Sequence, residues 1–165
     1  RQTLVCNTTE NPPLFRALAL RRKQTLLTLH SLNMLHARGF LAEVFSILAR
    51  HNISVDLITT SEVSVALTMD TTGSTSTGGS LLTTSLLTEL SSLCRVEVEE
   101  NLALVALIGN KLSQACGVGK EVFGVLDPFN IRMICYGASS YNLCFLVPGD
   151  DAEQVVRTLH HNLFE

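Results

Sequence analysis

The sequence lacks the features that mark several common functions. It has no basic run longer than Arg21-Arg22-Lys23, and its formal net charge is −3 over 165 residues. The positive stripe that neutralises phosphates is missing, so no nucleic-acid partner is expected. No apolar stretch reaches the roughly 18–20 residues that span a bilayer, and no secretory leader pattern opens the chain, so no membrane partner is expected. The cysteines Cys6, Cys94, Cys116, Cys135 and Cys144 include no C-x-x-C pair, and the five histidines lack ligand spacing. An odd, dispersed set of cysteines in apolar contexts predicts reduced, buried thiols in a cytoplasmic protein, with neither a disulfide framework nor a metal site. His160-His161 are expected to face solvent.

Catalytic signatures are also missing. Gly117-Val118-Gly119-Lys120 looks like half a phosphate loop. A Walker motif, however, needs a Gly where Gln114 stands and a Ser or Thr where Glu121 stands. No Ser/His/Asp or Cys/His set has a local signature, and Glu97, Glu99 and Glu100 read as a solvated strand edge. The chain by itself is not expected to be an enzyme. Only 16% of residues are charged against 46% hydrophobic. That balance suggests apolar surface buried between modules or between subunits.

What is present is a repeat. Glu43-Val44-Phe45 aligns with Glu121-Val122-Phe123 at an offset of 78 residues. At the same offset Gly39 meets Gly117, Leu48 meets Leu126, Asn52-Ile53 meets Asn130-Ile131, and Ser61 meets Ser139. The strand TLLTLH (25–30) falls on ALVALI (103–108). An ungapped match across a helix and its flanking strands indicates a duplicated module.

In the first copy, 24–31 reads as a buried strand and 40–51 as a helix with Leu41, Val44, Phe45 and Leu48 on one face. Residues 53–61 and 62–70 read as two tightly connected strands, 71–80 as an exposed loop, 81–93 as a second helix and 94–100 as a last strand. The order βαββαβ, with both helices on one side of an antiparallel sheet, is the ferredoxin-like arrangement of an α+β protein. The second copy supplies a strand at 101–109, a helix at 119–126, strands at 130–138 and 141–148, and a helix at 152–163 capped by Asp150 or Asp151. It lacks a fourth strand, and LFRALALR (14–21) is the available replacement. The expected division is therefore 1–13 as a remnant or linker, 24–100 as a first domain, and 14–23 plus 101–165 as a second, discontinuous one into which the first is inserted. Without an initiating Met, the chain looks cut from something longer.

The copies differ in their charges. In the first, the helix beginning after Gly39 presents the backbone amides of Gly39, Phe40 and Leu41, which have no intrahelical acceptor and suit a carboxylate. The next strand carries Asp56 among apolar neighbours, where a charge needs a partner. A carboxylate acceptor beside an amine acceptor fits a free amino acid. In the second copy Asp56 becomes Ile134 and Glu62 becomes Ser140. The alternative, an exposed Asp56 with Gly39 as a simple turn residue, is open on pattern alone.

The segment SLNMLHARGFLAEVFSILARHNISVDLITTSEVSVALT, with VEVEENLALVALIGN, ACGVGKEVF and ICYGASSYNLCFLVPG, resembles the C-terminal regulatory region of the lysine-sensitive aspartokinase family, and the likeness covers nearly the whole chain. The resemblance implies two ferredoxin-like ACT domains, the first inserted in the second, and an upstream kinase domain that would hold ATP and Mg²⁺ and is absent from this chain. It implies L-lysine as ligand of the first ACT domain at a homodimer interface. The positions implied are Met34, Gly39, Phe40 and Leu41 at the helix start, Ser54, Val55 and Asp56 on the next strand, and Ser61 and Glu62 at the following turn. Thr60 and Thr68 resemble positions that tune inhibition through strand packing, and the second domain would help hold the dimer without a ligand. Other readings are an ACT pair sensing threonine or another amino acid, a ligand-independent dimerisation module, and an enzyme in its own right.

Overall fold

The computed structural model of the chain describes residues 14–31, 39–61, 64–70, 82–110, 112, 116–137, 139 and 141–164. In chain order these form β1 (Phe15–His30), α1 (Phe40–Arg50), β2 (Val55–Thr60), β3 (Ser64–Asp70), α2 (Thr84–Ser91), β4 (Arg95–Gly109), α3 (Val118–Leu126), β5 (Met133–Tyr136), β6 (Asn142–Pro148) and α4 (Ala152–Phe164). A 3-10 turn, Gly149–Asp151, leads directly into α4.

Two pairs of expected strands are single strands. Residues 14–21 and 24–31 merge in the 16-residue β1, and 94–100 and 101–109 merge in the 15-residue β4. The expected strand boundaries fall around Lys23 and Asn101. Instead, both residues take the left-handed backbone, at φ 57° and 56°, and the strand continues through the irregularity. A non-glycine residue in that region costs roughly 1–2 kcal/mol, least for Asn, so each kink has to be held by the pairing on either side of it.

The strand order is β2-β3-β1-β4-β6-β5. The chain divides into two compact units, one of Arg21–Leu104 with Pro148–Asp150, the other of Arg1–Leu20, Val105–Val147 and Asp151–Glu165. The first unit takes the C-terminal part of β1, then α1, β2, β3, α2 and the N-terminal part of β4. Its strands lie in the ferredoxin-like order, second–third–first–fourth. The second unit starts on the C-terminal part of β4, adds α3, β5, β6 and α4, and takes its fourth strand from the N-terminal part of β1. Its strands follow the same order.

In the first unit, Leu27 lies opposite Leu67 and Leu29 opposite Val65 across the β1–β3 ladder. These four, with Met69, meet Val44, Ile47 and Leu48 of α1 and Leu86 and Leu90 of α2 in one buried cluster. Each such side chain contributes roughly 1.5–3 kcal/mol by leaving water. The register fixes which face they share, because successive strand residues point to opposite sides. Thr83 caps α2 by accepting a hydrogen bond from the Leu86 amide at 3.2 Å.

Two expectations about side chains are corrected. The inward stripe of α1 is Phe40, Val44, Ile47 and Leu48, whereas Leu41 and Phe45 are 38% and 40% exposed. The helix carries two adjacent apolar stripes, and the sheet covers only one of them. The thiols are less buried than their apolar contexts suggested. Cys94, Cys135 and Cys144 are half-buried and Cys116, just before the start of α3, is exposed; Cys6 lies outside the described residues.

Glycine contacts allow a direct check of the second unit. A Cβ at Gly109 would run into the Leu14 carbonyl oxygen and lie 2.6 Å from the Leu112 side chain, whereas one at Gly124, inside α3, meets nothing within 4 Å. Gly109→Ala is expected to lower unfolding stability by about 1–3 kcal/mol through overpacking. Gly124→Ala is expected to raise it by roughly 0.5–1 kcal/mol through helix propensity. Urea titration of both variants beside the parent checks the pair.

Candidate functional site

The candidate site lies in the first unit, where the start of α1 and the edge strand β2 carry the predicted residues. Gly39 precedes α1 with φ 84° and ψ 7°, and its carbonyl accepts the first helical hydrogen bond, from the Glu43 amide at 3.0 Å. No side chain caps this end. The amides of Gly39, Phe40 and Leu41 therefore sit at the positive end of the helix dipole without an intrahelical acceptor. A Cβ on Gly39 would touch nothing within 4 Å, so glycine is favoured there by its backbone angle and not by crowding.

Asp56 is placed by a β-bulge. Across the β2–β3 ladder Val55 faces Met69 and Leu57 faces Thr68, leaving Asp56 as the extra residue of β2. A bulge re-aims the side chain it carries and leaves a ladder amide to be satisfied. Here the fully buried Thr68 answers it: its hydroxyl oxygen accepts a hydrogen bond from the Leu57 amide at 3.0 Å. The Asp56 carboxylate, 24% exposed, meets Arg21 of β1 at 3.3 Å. Arg21 is itself half-exposed, so the ion pair orients the carboxylate more than it stabilises the fold; such pairs contribute up to about 1 kcal/mol.

Ser54 is exposed and Val55 partly buried on the approach to the bulge. Thr60 ends β2 as an exposed residue. Ser61 closes the β2–β3 connection, its amide donating to the Ser64 carbonyl at 2.8 Å and its hydroxyl lying 2.7 Å from that of Ser64. Met34 and Glu62 lie outside the described residues. Sequence reasoning missed Arg21 and the hydrogen bond from the Leu57 amide to Thr68. Arg21 was visible only as part of a short basic run, and its pairing with Asp56 requires knowing that one strand separates β1 from β2. The bulge has no motif of its own.

The second unit repeats the frame with other side chains. Gly117 has φ 81° and ψ 2° before α3, almost the angles of Gly39. β5 and β6 pair without interruption from Met133 opposite Leu146 to Tyr136 opposite Leu143. That ladder has no bulge, and Ile134 stands where the first unit has Asp56.

The ACT domain family matches residues 27–74 and 105–163. The chain belongs to the ACT domain family. The two segments matched correspond to the two ACT repeats described above. The chain is 88% identical over 163 residues to lysine-sensitive aspartokinase 3 of Escherichia coli, covering 99% of this chain and 36% of that protein, in its C-terminal part. It resembles the crystal structure of E. coli aspartokinase III in complex with aspartate and ADP, the R-state, with a TM-score of 0.89, 88% identity, and 99% of this chain and 36% of that chain covered. It resembles the complex of the same enzyme with lysine and aspartate, the T-state, with a TM-score of 0.85, 87% identity, and coverages of 98% and 36%. The chain thus spans about a third of the length of these relatives.

Thr68→Val keeps the shape of the side chain and removes the acceptor of the Leu57 amide. The variant is expected to lose about 1–2 kcal/mol of stability, the cost of an unsatisfied buried amide, whereas Thr68→Ser loses less. Chemical denaturation of the two variants tests whether the bulge depends on this hydroxyl.

Proposed function

We propose that the chain is the regulatory region of an aspartate kinase, that its first ACT repeat binds L-lysine, and that binding inhibits a kinase domain outside this chain. The observation that carries this reading is the bulge that presents Asp56 in the first repeat and has no counterpart in the second. The T-state relative at 87% identity holds lysine, and a cationic amino acid is what the site's chemistry favours. The α-carboxylate is assigned to the amides of Gly39 to Leu41, with Met34 beside them. An ammonium group is assigned to Asp56, with Ser54, Val55, Ser61 and Glu62 nearby. Arg21 pairs with Asp56 Oδ1, so an ammonium group at this carboxylate has to share it with a guanidinium or displace it.

The functional division proposed is 24–100 as the effector-binding domain and 14–23 plus 101–165 as the structural one, with 1–13 as a linker. The breaks in compactness at 20/21 and 104/105 fall a few residues from these bounds and put Arg21 with the effector-binding unit. A homodimer through the ACT repeats is supported by the second apolar stripe of α1, Leu41 and Phe45, and by the 38% exposed Ile58 on edge strand β2, all next to the candidate site. The chain is read as non-catalytic and cytoplasmic, with ATP and Mg²⁺ confined to the kinase domain. Among the described residues no helix is long and apolar enough to cross a membrane.

Inhibition is then a matter of linkage. Lysine shifts activity only by its difference in affinity between the inhibited and active arrangements. A coupling of about 1–3 kcal/mol per site changes affinity or activity roughly 5–150-fold, and paired sites in a dimer steepen the response. Thr60 and Thr68 act on that difference through the strand carrying Asp56, without touching the ligand.

L-lysine at about 100 times its dissociation constant is expected to stabilise the chain by roughly 2.7 kcal/mol in thermal unfolding, with no shift from D-lysine, L-threonine or L-methionine. Stabilisation by threonine instead would replace the ligand, and indifference to all four would favour a pure dimerisation module. Asp56→Ala is expected to weaken lysine binding by about 1.5–3 kcal/mol, the scale of a hydrogen bond to a charged group, with the fold retained. Calorimetric titration of that variant giving the parent's affinity would remove Asp56 from the site.

A further inference from the structure

The β5–β6 ladder of the second repeat sets Cys135 directly opposite Cys144. Directly opposed residues of an antiparallel pair project from the same face, with Cα atoms about 4.5–5.5 Å apart, inside the range that a disulfide bridges. Both side chains are half-buried on that face. In the first repeat the equivalent positions are Leu57 and Ala66, and these are not partners, since Leu57 faces Thr68. The pair of thiols is therefore a feature of the second repeat alone, and the lysine-sensing frame makes no use of it.

We propose that Cys135 and Cys144 form a reversible dithiol–disulfide site, oxidised by small disulfides of the glutathione class. The thiolate of one cysteine attacks a sulfur of the oxidant RSSR, forming a mixed disulfide and releasing RS⁻, which takes up a proton. The thiolate of the second cysteine then attacks the protein sulfur of that mixed disulfide, closing the Cys135–Cys144 bond and releasing the second RSH. Two electrons and two protons pass from the protein to the oxidant. The second step is intramolecular between groups already held opposite one another, so it outruns release of the mixed disulfide by outside thiol.

Two properties bear on how the site would behave. The bond would close a short loop, which stabilises a fold least, so little holds it against reduction. Burial raises both thiols above their ordinary range, and the Cys135 charge raises Cys144 further, so the resting pair is protonated and the attack that begins oxidation is slow. Its mechanical effect falls on β5, which has four residues and lies at the edge of the sheet. Oxidation would fasten that strand covalently to β6.

The test is to equilibrate the chain in glutathione buffers of rising oxidised fraction, quench with an alkylating agent under denaturing conditions, and map the peptides by mass. The expected result is joint loss of the Cys135 and Cys144 thiols with one peptide linking them, reversed on return to reduced glutathione. Exposed Cys116 is expected to carry at most a glutathione adduct, and Cys116→Ser to leave the link intact. Cys135→Ser and Cys144→Ser should each abolish the link and leave a glutathione adduct on the remaining cysteine. The proposal is overturned if both thiols stay alkylatable in fully oxidised glutathione, or if the link joins either cysteine to a different one.

Discussion

The strand pair β1 and β4 is the constraint on which the rest of the fold depends. Each repeat needs four strands in ferredoxin-like order, and each draws two of them from segments of these long strands. A strand serving two repeats must present the right side chains to each core. The alternation of faces is fixed at two residues, so any mismatch has to be absorbed locally. Lys23 and Asn101 absorb it, one in each long strand, by taking left-handed angles. A left-handed angle at a non-glycine residue carries a cost, least at Asn101.

The candidate site depends on a second local irregularity of the same kind. The extra residue in β2 points a carboxylate away from the ladder, and the Thr68 hydroxyl makes that geometry tolerable by taking the amide the bulge would otherwise strand. Arg21, two residues before the kink in β1, fixes the carboxylate's direction. Ligand chemistry, strand register and the approach to the kink thus converge within a few residues of sequence-distant chain. Thr68 reaches the strand that carries Asp56 through the Leu57 amide.

The sequence made the duplication legible because a helix and two strands matched without gaps, and the missing strand of the second copy then pointed to residues 14–21. It placed Gly39 and Asp56 on the right elements, since periodicity and an isolated charge are local signals. It did not show that β1 and β4 run unbroken, because Arg-Arg-Lys and Glu-Glu-Asn look alike in a turn and in a kinked strand. The phase of α1 was misjudged for a related reason. Leu41 and Phe45 are as apolar as Phe40 and Ile47, and composition cannot say which of two apolar stripes meets the sheet. The pairing of Asp56 with Arg21, and of Cys135 with Cys144, depends on which strands lie beside which and in what register. No window along the chain contains that information.

The uninterrupted β5–β6 ladder has a consequence for how a duplicated domain can diverge. A bulged hairpin and a regular one present different sets of facing neighbours even when their sequences align without gaps. Residues that sit at matching positions in the two copies can therefore be partners in one and strangers in the other. Duplication here multiplied pairing relationships as well as residues, and each copy could acquire chemistry for which the other has no geometric equivalent.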